Sequence, residues 1–418
     1  MGDEIPNAVA LSYTYNGLDQ VTEISYNGSV SYKYTYTNDG NVETVTDVAN
    51  NVVFRYRYDN GGNVIGFTRS KNGQTQLSAV NWASTDGFTT GTRLNMDGTS
   101  YNTSSTKDSQ TGNVMTFHPL AGNDVAFTYD SLSQLLTRKN GLFQQGYTYK
   151  QVTNASGGTE TTGQISKIEY AKQGGNSFGE FALSYEYDLL GNITKVSDAS
   201  GNVLAQYSYD AQSQLLSETL PQQNKRYEYT YDTAGNILTV ATYTASGTTP
   251  TQTDSYTYGD STWNDLLTQF NGQNITYDNG GNPLTYNNGN AWTFTWQKGR
   301  EMANAKSGST TLSFTYDADG IRDSKTVNGT THTYTTLDGT IYQEKWGNNT
   351  LTFAYDENGL PYSVTYNGTT YYYVLNQQGD VIRIVDTSGA TQADYTYDAW
   401  GNVIASTGTR IDLETSSC

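Results

Sequence analysis

Aromatic and polar residues alternate along most of this chain in short runs, and each run is closed by a turn signal. In Tyr56-Arg57-Tyr58 and in Tyr229-Thr230-Tyr231 the aromatic side chains are two residues apart, which places both on one face of a β-strand. An aspartate, a glycine and an asparagine follow, and then aliphatic residues resume the alternation. This pattern predicts two short strands joined by a tight reversal.

The segment between the two runs has the residues of a bulged type I turn. Asp59 and Asp232 can accept backbone N–H groups two residues further on, and Gly62 and Gly235 can adopt the positive φ that such a turn needs. The second strand then brings an aliphatic side chain opposite an aromatic side chain of the first strand. Each unit is therefore predicted to be one antiparallel β-hairpin.

The hairpin unit recurs at a fixed step. Three consecutive turn aspartates lie 22 residues apart, namely Asp188, Asp210 and Asp232. Later aspartates lie close to two steps apart and have degenerate copies between them; in one copy, FTWQKGREM, Trp296 takes the aromatic position. A step of 22 residues therefore predicts a tandem array of hairpins rather than a series of unrelated domains.

The array is predicted to cover residues 1–410. The pattern is faint at about 68–105 and 152–179, and these stretches are interpreted as drifted or loop-bearing repeats because they keep apolar alternation. Residues 411–418 fit no repeat and are interpreted as a non-repeat tail. We expect the chain to be an excised piece of a longer protein, in which residues at either end could come from an expression vector.

The repeat count predicts an all-β shell. A lone hairpin is marginal in water, so neighbouring hairpins must pair edge to edge. About 19 units would give about 38 strands, and twisted sheets of more than ~10 strands curl. The expected fold is a spiralling sheet of tandem hairpins that is barrel-like or cocoon-like, and either hollow or wound as a tight solenoid.

Composition supports an aromatic β-structure and excludes several partners. Hydrophobic residues make up only 35% of the chain, but 36 Tyr and 6 Trp supply apolar ring area with a polar tip. The formal net charge of −18 should repel nucleic-acid phosphates and anionic lipids. The sequence has no apolar run long enough for a membrane helix and no secretion signal at Met1-Gly2-Asp3-Glu4. Neither nucleic acid nor membrane insertion is expected.

Cysteine and histidine content argues against disulfides and zinc. Cys418 is the single cysteine, so no intrachain disulfide can form, and two histidines are too few for the usual Cys/His zinc site. No catalytic, cofactor-binding or metal-binding residue is assigned, and no cofactor is expected. Stability must come from packing.

The repeat units resemble those of a known family. The units YRYDNGGNV, YEYDLLGNI and YTYDTAGNIL, and above all the closing segment YYYVLNQQGDVIRIVDTSGATQADYTYDAWGNVIAS, resemble YD repeats of the rearrangement-hotspot (RHS) type. The resemblance covers almost the whole chain. It implies a spiralling β-sheet cocoon that, in prokaryotic members, encloses a C-terminal toxic polypeptide and is usually exported. Animal teneurins use a similar barrel in cell-surface adhesion.

Two functions follow from the resemblance. The first is a structural shell or scaffold, part of a larger secreted bacterial protein that encloses or presents a C-terminal toxin. The second is a cell-surface adhesin that binds a glycan or a partner cell through stripes of Tyr and Trp. A hydrolase has no support in the sequence. Family cores commonly continue to a self-cleavage segment of Asp-Pro-x-Gly-Leu type, and because none follows Asn402 neither that site nor a toxin domain is assigned.

Three local features have residue types that occur in metal or catalytic sites. Asp317-Ala318-Asp319-Gly320-Ile321-Arg322-Asp323 resembles part of a calcium loop, but it lacks the distal bidentate Glu, and Asp317 occupies the ordinary turn position of the repeat. His118 precedes a proline and His332 lies in a Thr-rich strand, and neither has a matching acid and nucleophile motif. A structural role is therefore expected for all three.

Circular dichroism of the chain should show β-structure with almost no helix, because the unit repeated throughout is a hairpin. A helical content above about a fifth would contradict the repeat assignment. The measurement needs only far-ultraviolet spectra of the purified chain, with the aromatic contribution of its tyrosines taken into account.

Overall fold

The alternating runs form antiparallel β-strands in the residues that the computed structural model describes, 10–83 and 89–413. Within these ranges the helical segments are two 3₁₀ turns, Pro221–Gln223 and Ile411–Leu413. No helix in the same ranges is long and apolar enough to cross a membrane. The all-β prediction is confirmed. Met1-Gly2-Asp3-Glu4 and Cys418, to which two expectations from the sequence refer, lie outside the described residues.

The chain forms two units, and the first comprises Met1–Ser104 and Asn274–Phe353. Consecutive strands pair antiparallel within each of its two segments. The strands of the first segment are β1 (Leu11–Tyr15), β2 (Val21–Tyr26), β3 (Ser29–Tyr36), β4 (Val42–Asp47), β5 (Val52–Tyr58), β6 (Val64–Lys71), β7 (Gln74–Ala83), β8 (Thr89–Met96) and most of β9 (Thr99–Lys107). Those of the second segment are β24 (Thr285–Asn287), β25 (Ala291–Gln297), β26 (Glu301–Ser307), β27 (Thr310–Tyr316), β28 (Arg322–Val327), β29 (Thr330–Leu337), β30 (Thr340–Trp346) and most of β31 (Asn349–Tyr355).

The second unit comprises Ser105–Gln273 and Ala354–Cys418. Its first segment contains β10 (Val114–His118), β11 (Val125–Tyr129), β12 (Leu135–Lys139), β13 (Phe143–Thr153), β14 (Thr159–Lys172), β15 (Phe181–Tyr187), β16 (Ile193–Asp198), β17 (Val203–Tyr209), β18 (Leu215–Leu220), β19 (Lys225–Tyr231), β20 (Ile237–Tyr243), β21 (Gln252–Tyr258) and β22 (Leu267–Phe270), and ends at the short β23 (Gln273–Asn274). Its second segment contains β32 (Pro361–Tyr366), β33 (Thr369–Leu375), β34 (Val381–Asp386), β35 (Thr391–Tyr397) and β36 (Val403–Gly408). Here too, consecutive strands from β10 to β22 and from β32 to β36 pair antiparallel.

The register within each repeat is the one expected from the sequence. Three successive hairpins place a tyrosine opposite the aliphatic residue that opens the next strand, in the pairs Tyr187 with Ile193, Tyr209 with Leu215 and Tyr231 with Ile237. A one-residue bulge lies just before each of these tyrosines. Tyr187, Tyr209 and Tyr231 therefore occupy equivalent positions.

The turn aspartate organises the reversal. Asp232 Oδ1 accepts the N–H groups of Ala234, at 2.8 Å, and of Asn236, at 2.9 Å, while Gly235 has φ +92°. The amide of Asn236 donates to the other carboxylate oxygen at 2.9 Å. Hydrogen bonds from Asn236 hold the pKa of Asp232 below its ordinary value. The bulged type I turn that the sequence predicts is thus present.

The opposite ends of many hairpins have a different turn, which the sequence analysis missed. At Asn27-Gly28 and Asn328-Gly329 both residues have positive φ, as a two-residue type I′ turn requires. The side-chain oxygens of Asn27 and Asn328 also accept the N–H groups of Ala10 and Thr311 at 2.8 Å. Recurrent Asn-Gly pairs in the sequence are the signal that would have identified these turns.

The described residues of the two stretches with a faint pattern also contribute strands. Residues 68–83 and 89–105 contribute to β6, β7, β8 and β9, and residues 152–179 include the long hairpin arm β14. Pairing of β13 with β14 is interrupted by bulges near Tyr149, and Ile168 and Tyr170 on β14 are each only 1% exposed. This hairpin is therefore long and irregular near Tyr149, and it still buries Ile168 and Tyr170.

Replacing Gly235 by Val should destabilise the chain by more than about 1 kcal/mol, because a β-branched residue resists positive φ. A Cβ at this position would also lie 2.9 Å from Gln214 Nε2. Urea unfolding measures the effect. Gly163→Val is the matched control, since Gly163 lies in β14 with no atom within 4 Å of an added Cβ and is expected to tolerate Val. Equal midpoints for the two variants would contradict the turn assignment.

Candidate functional site

The second tyrosine of each Tyr-x-Tyr-Asp unit joins its hairpin to the preceding one. We call these residues closing tyrosines. The hydroxyl of Tyr231 donates to the carbonyl of Leu215 at 2.7 Å, and Leu215 opens the second strand of the hairpin before it. The same bond forms in both units, from Tyr36 to Val21, Tyr58 to Val42, Tyr129 to Val114, Tyr209 to Ile193, Tyr316 to Met302 and Tyr397 to Val381, at 2.7–3.1 Å.

A tryptophan replaces the closing tyrosine in one degenerate repeat. Trp296, which the sequence places in the aromatic position, donates its indole Nε1–H to the carbonyl of Pro283 at 2.7 Å. Indole N–H and phenol O–H are both donors at the end of an apolar ring. What the position requires is therefore a ring that carries a donor.

The other face of the ribbon is polar. The residue between the two aromatic residues of a unit pairs its hydroxyl with one nine positions later, as in Thr128 with Thr137 at 2.7 Å and Thr230 with Thr239 at 2.6 Å. Position 208 follows the same rule, with Ser208 bonded to Ser217. In these repeats the ribbon consequently has a tyrosine face and a hydroxyl face.

In the second unit the tyrosine face of the first segment is covered by apolar and aromatic residues of the second segment. We call this region the aromatic seam. It consists of Val125, Phe127, Leu142, Phe143, Ile168, Tyr170, Phe178, Leu183, Tyr185, Tyr362, Tyr372, Val374 and Val385, all at most 8% exposed. Since these rings are covered, they cannot stack on a sugar without the two segments separating.

Hydrogen bonds between distant residues fix the aromatic seam. The hydroxyl of Tyr362 donates to the carbonyl of Asn123 at 2.8 Å, and the N–H of Asn123 donates to the hydroxyl of Tyr372 at 3.0 Å. The closing tyrosine Tyr187 also donates to the side chain of Gln377 at 2.8 Å. The seam thus fixes the position of the two segments as well as burying apolar area.

A buried ion pair lies beside the aromatic seam. Arg138 Nη1 is 3.0 Å from Asp356 Oδ2, and both side chains are largely buried. Asp356 is a turn aspartate, so its other oxygen accepts the N–H groups of Asn358 and Leu360. Burial raises the pKa of the adjacent Glu357 to about 7. The cleft between Arg138 and Tyr362 has room for about one water molecule, so it cannot hold a larger ligand.

The first unit has buried charges of the same kind. Arg69 forms an ion pair with Asp323, and both side chains are largely buried. The ammonium group of Lys298 lies 4.5 Å from the ring centre of Tyr32, which is 3% exposed. Burial raises the pKa of Tyr32, so its hydroxyl stays neutral and can donate. These contacts join residues more than 200 positions apart.

The structure gives the carboxylates of the resembled calcium loop separate roles. Asp317 Oδ1 accepts the N–H groups of Asp319 at 3.0 Å and Ile321 at 2.9 Å, as other turn aspartates do. Asp323 is engaged by Arg69. Burial raises the pKa of Asp317, whereas exposed turn aspartates such as Asp232 have a lowered pKa. The described residues contain no group of three or more side chains placed to hold a metal ion.

Each histidine is held by one carboxylate. His118 Nδ1 lies 2.5 Å from Asp124 Oδ1 on the surface, and His332 Nδ1 lies 2.7 Å from Glu344 Oε1. The His332 ring also stacks on Trp346 with 5.1 Å between ring centres. The His118 contact is therefore a surface ion pair, and the His332 contacts are part of the packing of its strand.

Comparison with known proteins adds three findings. Residues 159–415 match the family model described as Teneurin YD-shell. The tRNA3(Ser)-specific nuclease WapA of Bacillus spizizenii and the tRNA nuclease WapA of Bacillus subtilis are each 31% identical over 307 residues, which cover 66% of this chain and 12% of each relative. The crystal structure of TcdB2-TccC3 matches 98% of this chain and 28% of that chain, with a TM-score of 0.52 and 13% identity. The last likeness concerns the fold alone.

Replacing Tyr231 by Phe should lower the free energy of unfolding by about 1 kcal/mol, because it leaves the carbonyl of Leu215 without its hydroxyl donor. Tyr227→Phe on the same strand is the control, since Tyr227 lies four residues before the closing position of β19. Urea midpoints of the two variants measure the difference. If both variants lose the same stability, the closing bond contributes nothing.

Proposed function

Because this chain belongs to the Teneurin YD-shell family, we propose that it forms part of a shell that encloses a C-terminal toxic polypeptide in a longer, secreted bacterial protein. Its YD repeats, its antiparallel sheets and its relatives make it an RHS-type, shell-like scaffold. Enclosure of a toxin and export from the cell are what we propose beyond this scaffold.

The proposal rests on two facts about the relatives, which are that they are nucleases and that this chain matches only a small part of each. The curated relatives are tRNA nucleases, and the chain spans only 12% of their length. A repeat scaffold that forms so small a part of a nuclease leaves room for the nuclease activity to lie elsewhere in the protein. We therefore assign to this chain the enclosure of a toxin and to a separate C-terminal polypeptide the toxic activity.

The physical character of the chain supports this division. Its formal charge of −18 would repel a tRNA substrate, so the surface is unsuited to bind the nucleic acid on which the relatives act. The aromatic seam and the closing tyrosines use their rings and hydroxyls in internal packing. Both observations favour a structural shell over a substrate-binding surface and over a glycan-binding adhesin.

Limited proteolysis of the full-length protein tests the proposal. The polypeptide that follows this chain should resist protease while the shell is folded, and should be digested rapidly when it is expressed alone. The matched control fuses the same polypeptide to an unrelated folded domain of similar size, where no protection is expected. Growth inhibition by the polypeptide alone, but not by this chain, is the second expected result.

Three outcomes would contradict enclosure of a toxin. Equal digestion of the polypeptide with and without the shell would exclude protection. Growth inhibition or tRNA cleavage by this chain alone would place the activity in the scaffold. Saturable binding of the chain to whole cells or to immobilised glycans, with no protected polypeptide, would favour the adhesin.

A further inference from the structure

Glu218 is a buried carboxyl group that no other feature of the fold explains. It lies on β18, and the residue is 0% exposed. Its Oε2 accepts the N–H of Ala399 at 3.0 Å, whereas its Oε1 is buried with no hydrogen-bond partner among the described residues. A charged carboxylate in such a place is costly, because half of its acceptor capacity is unused.

The partner of Glu218 belongs to the last hairpin of the second unit. Ala399 lies in the turn between β35 and β36, and we call residues 391–408 the terminal hairpin. Two neighbouring contacts hold the same turn and strand. The ring of Trp400 meets Tyr229 edge-on at 5.8 Å between ring centres, and the amide of Gln223 donates to the hydroxyl of Thr396 at 3.4 Å. Glu218 therefore lies at the point where the terminal hairpin docks on β18 and β19.

The groups around Glu218 do not neutralise it. Those that face it are Asp398 from the terminal hairpin, Tyr207 and Tyr209 from β17, and Tyr227 and Tyr229 from β19. Four are phenols and one is a second carboxyl, so none of them is a cation. The pKa of Glu218 is raised to about 7, chiefly by burial and in smaller part by the charge of Asp398, while the N–H of Ala399 opposes the shift.

We propose that Glu218 is a pH-sensitive switch that lets the terminal hairpin dock firmly on β18 when its carboxyl group is protonated and weakens that docking when it ionises. The switch depends on the packing of this chain alone, so it holds whatever the shell encloses. Ionisation places a negative charge beside Asp398 and leaves Oε1 unsatisfied in a buried site, and separation of the hairpin returns both groups to water.

The sign of the pH dependence follows from the raised pKa. An acid whose pKa is higher in the docked state than the ordinary 4.5 binds protons more tightly there, so docking is strongest at low pH. Docking weakens as the pH rises from 4.5 to about 7, by up to about tenfold per pH unit, and changes little above that. The terminal hairpin should thus be loosest in mildly alkaline buffer.

Hydrogen exchange measured by mass spectrometry on the whole chain tests the switch. Protection of the amides in the terminal hairpin, corrected for the intrinsic pH dependence of exchange, should fall at least tenfold between pH 5 and pH 8. The hairpin formed by β15 and β16 is the internal reference, because it lies outside this contact. In E218Q the side chain is neutral at both pH values, so protection of the terminal hairpin should be equal at pH 5 and pH 8.

Glu228→Gln is the matched control. Glu228 lies on the adjacent strand β19 and forms a partly exposed ion pair with Arg226, so its loss should leave the pH dependence of the terminal hairpin as in the unmodified chain. The proposal is overturned if the unmodified chain shows equal protection of residues 391–408 at both pH values. It is also overturned if E218Q keeps the full pH dependence. The measurement on the unmodified chain decides even if E218Q does not fold.

Discussion

The bond from a tyrosine hydroxyl to the main-chain carbonyl of the preceding hairpin is the constraint on which the rest of this structure depends. Tyr209 and Tyr231 can reach Ile193 and Leu215 only when successive hairpins are offset by one whole repeat. A shift of one residue would turn each ring to the opposite face, because side chains alternate along a strand. The 22-residue step, the bulge and the turn glycine all serve to return a ring with a donor to this position, and Trp296 shows that another such ring can replace tyrosine.

This constraint also decides which face of the ribbon is buried. When the tyrosine ring points to one side, the residue before it points to the other, and there Thr128 and Thr230 form hydroxyl pairs that water can replace. Strand β33 is an exception that buries both of its faces, since Tyr372, Tyr373, Val374 and Leu375 are each at most 7% exposed. In the repeats that contain Thr128 and Thr230, the apolar area lies on the tyrosine face. In the second unit that face is covered by the other segment of the same unit through the aromatic seam. A shell-like scaffold follows from a ribbon whose two faces differ in this way.

Local features could be predicted from the sequence, and long-range ones could not. The hairpins, the bulged turns and the equivalence of Tyr187, Tyr209 and Tyr231 depend on residues within one repeat. The repeated sequence pattern therefore predicts them. The contact of Glu218 with Ala399 joins residues 181 positions apart and has no periodic signature. The ordinary strand position of Glu218 in LLSETL gave no indication of burial, because exposure there depends on which hairpin covers the strand.

Buried ion pairs restrict the positions at which the repeated hairpins can dock on one another. Hairpins with the same tyrosine face could dock on one another at several positions one repeat apart, because apolar contact alone does not distinguish them. Arg138 finds a carboxylate at Asp356, and a shift by one repeat would leave a buried charge without its partner, at a cost of about 3–5 kcal/mol. Arg69 and Asp323 act in the same way within the first unit. These pairs contribute little net stability compared with apolar residues of similar size, so their role is best explained by the selection of one docking position among many similar ones.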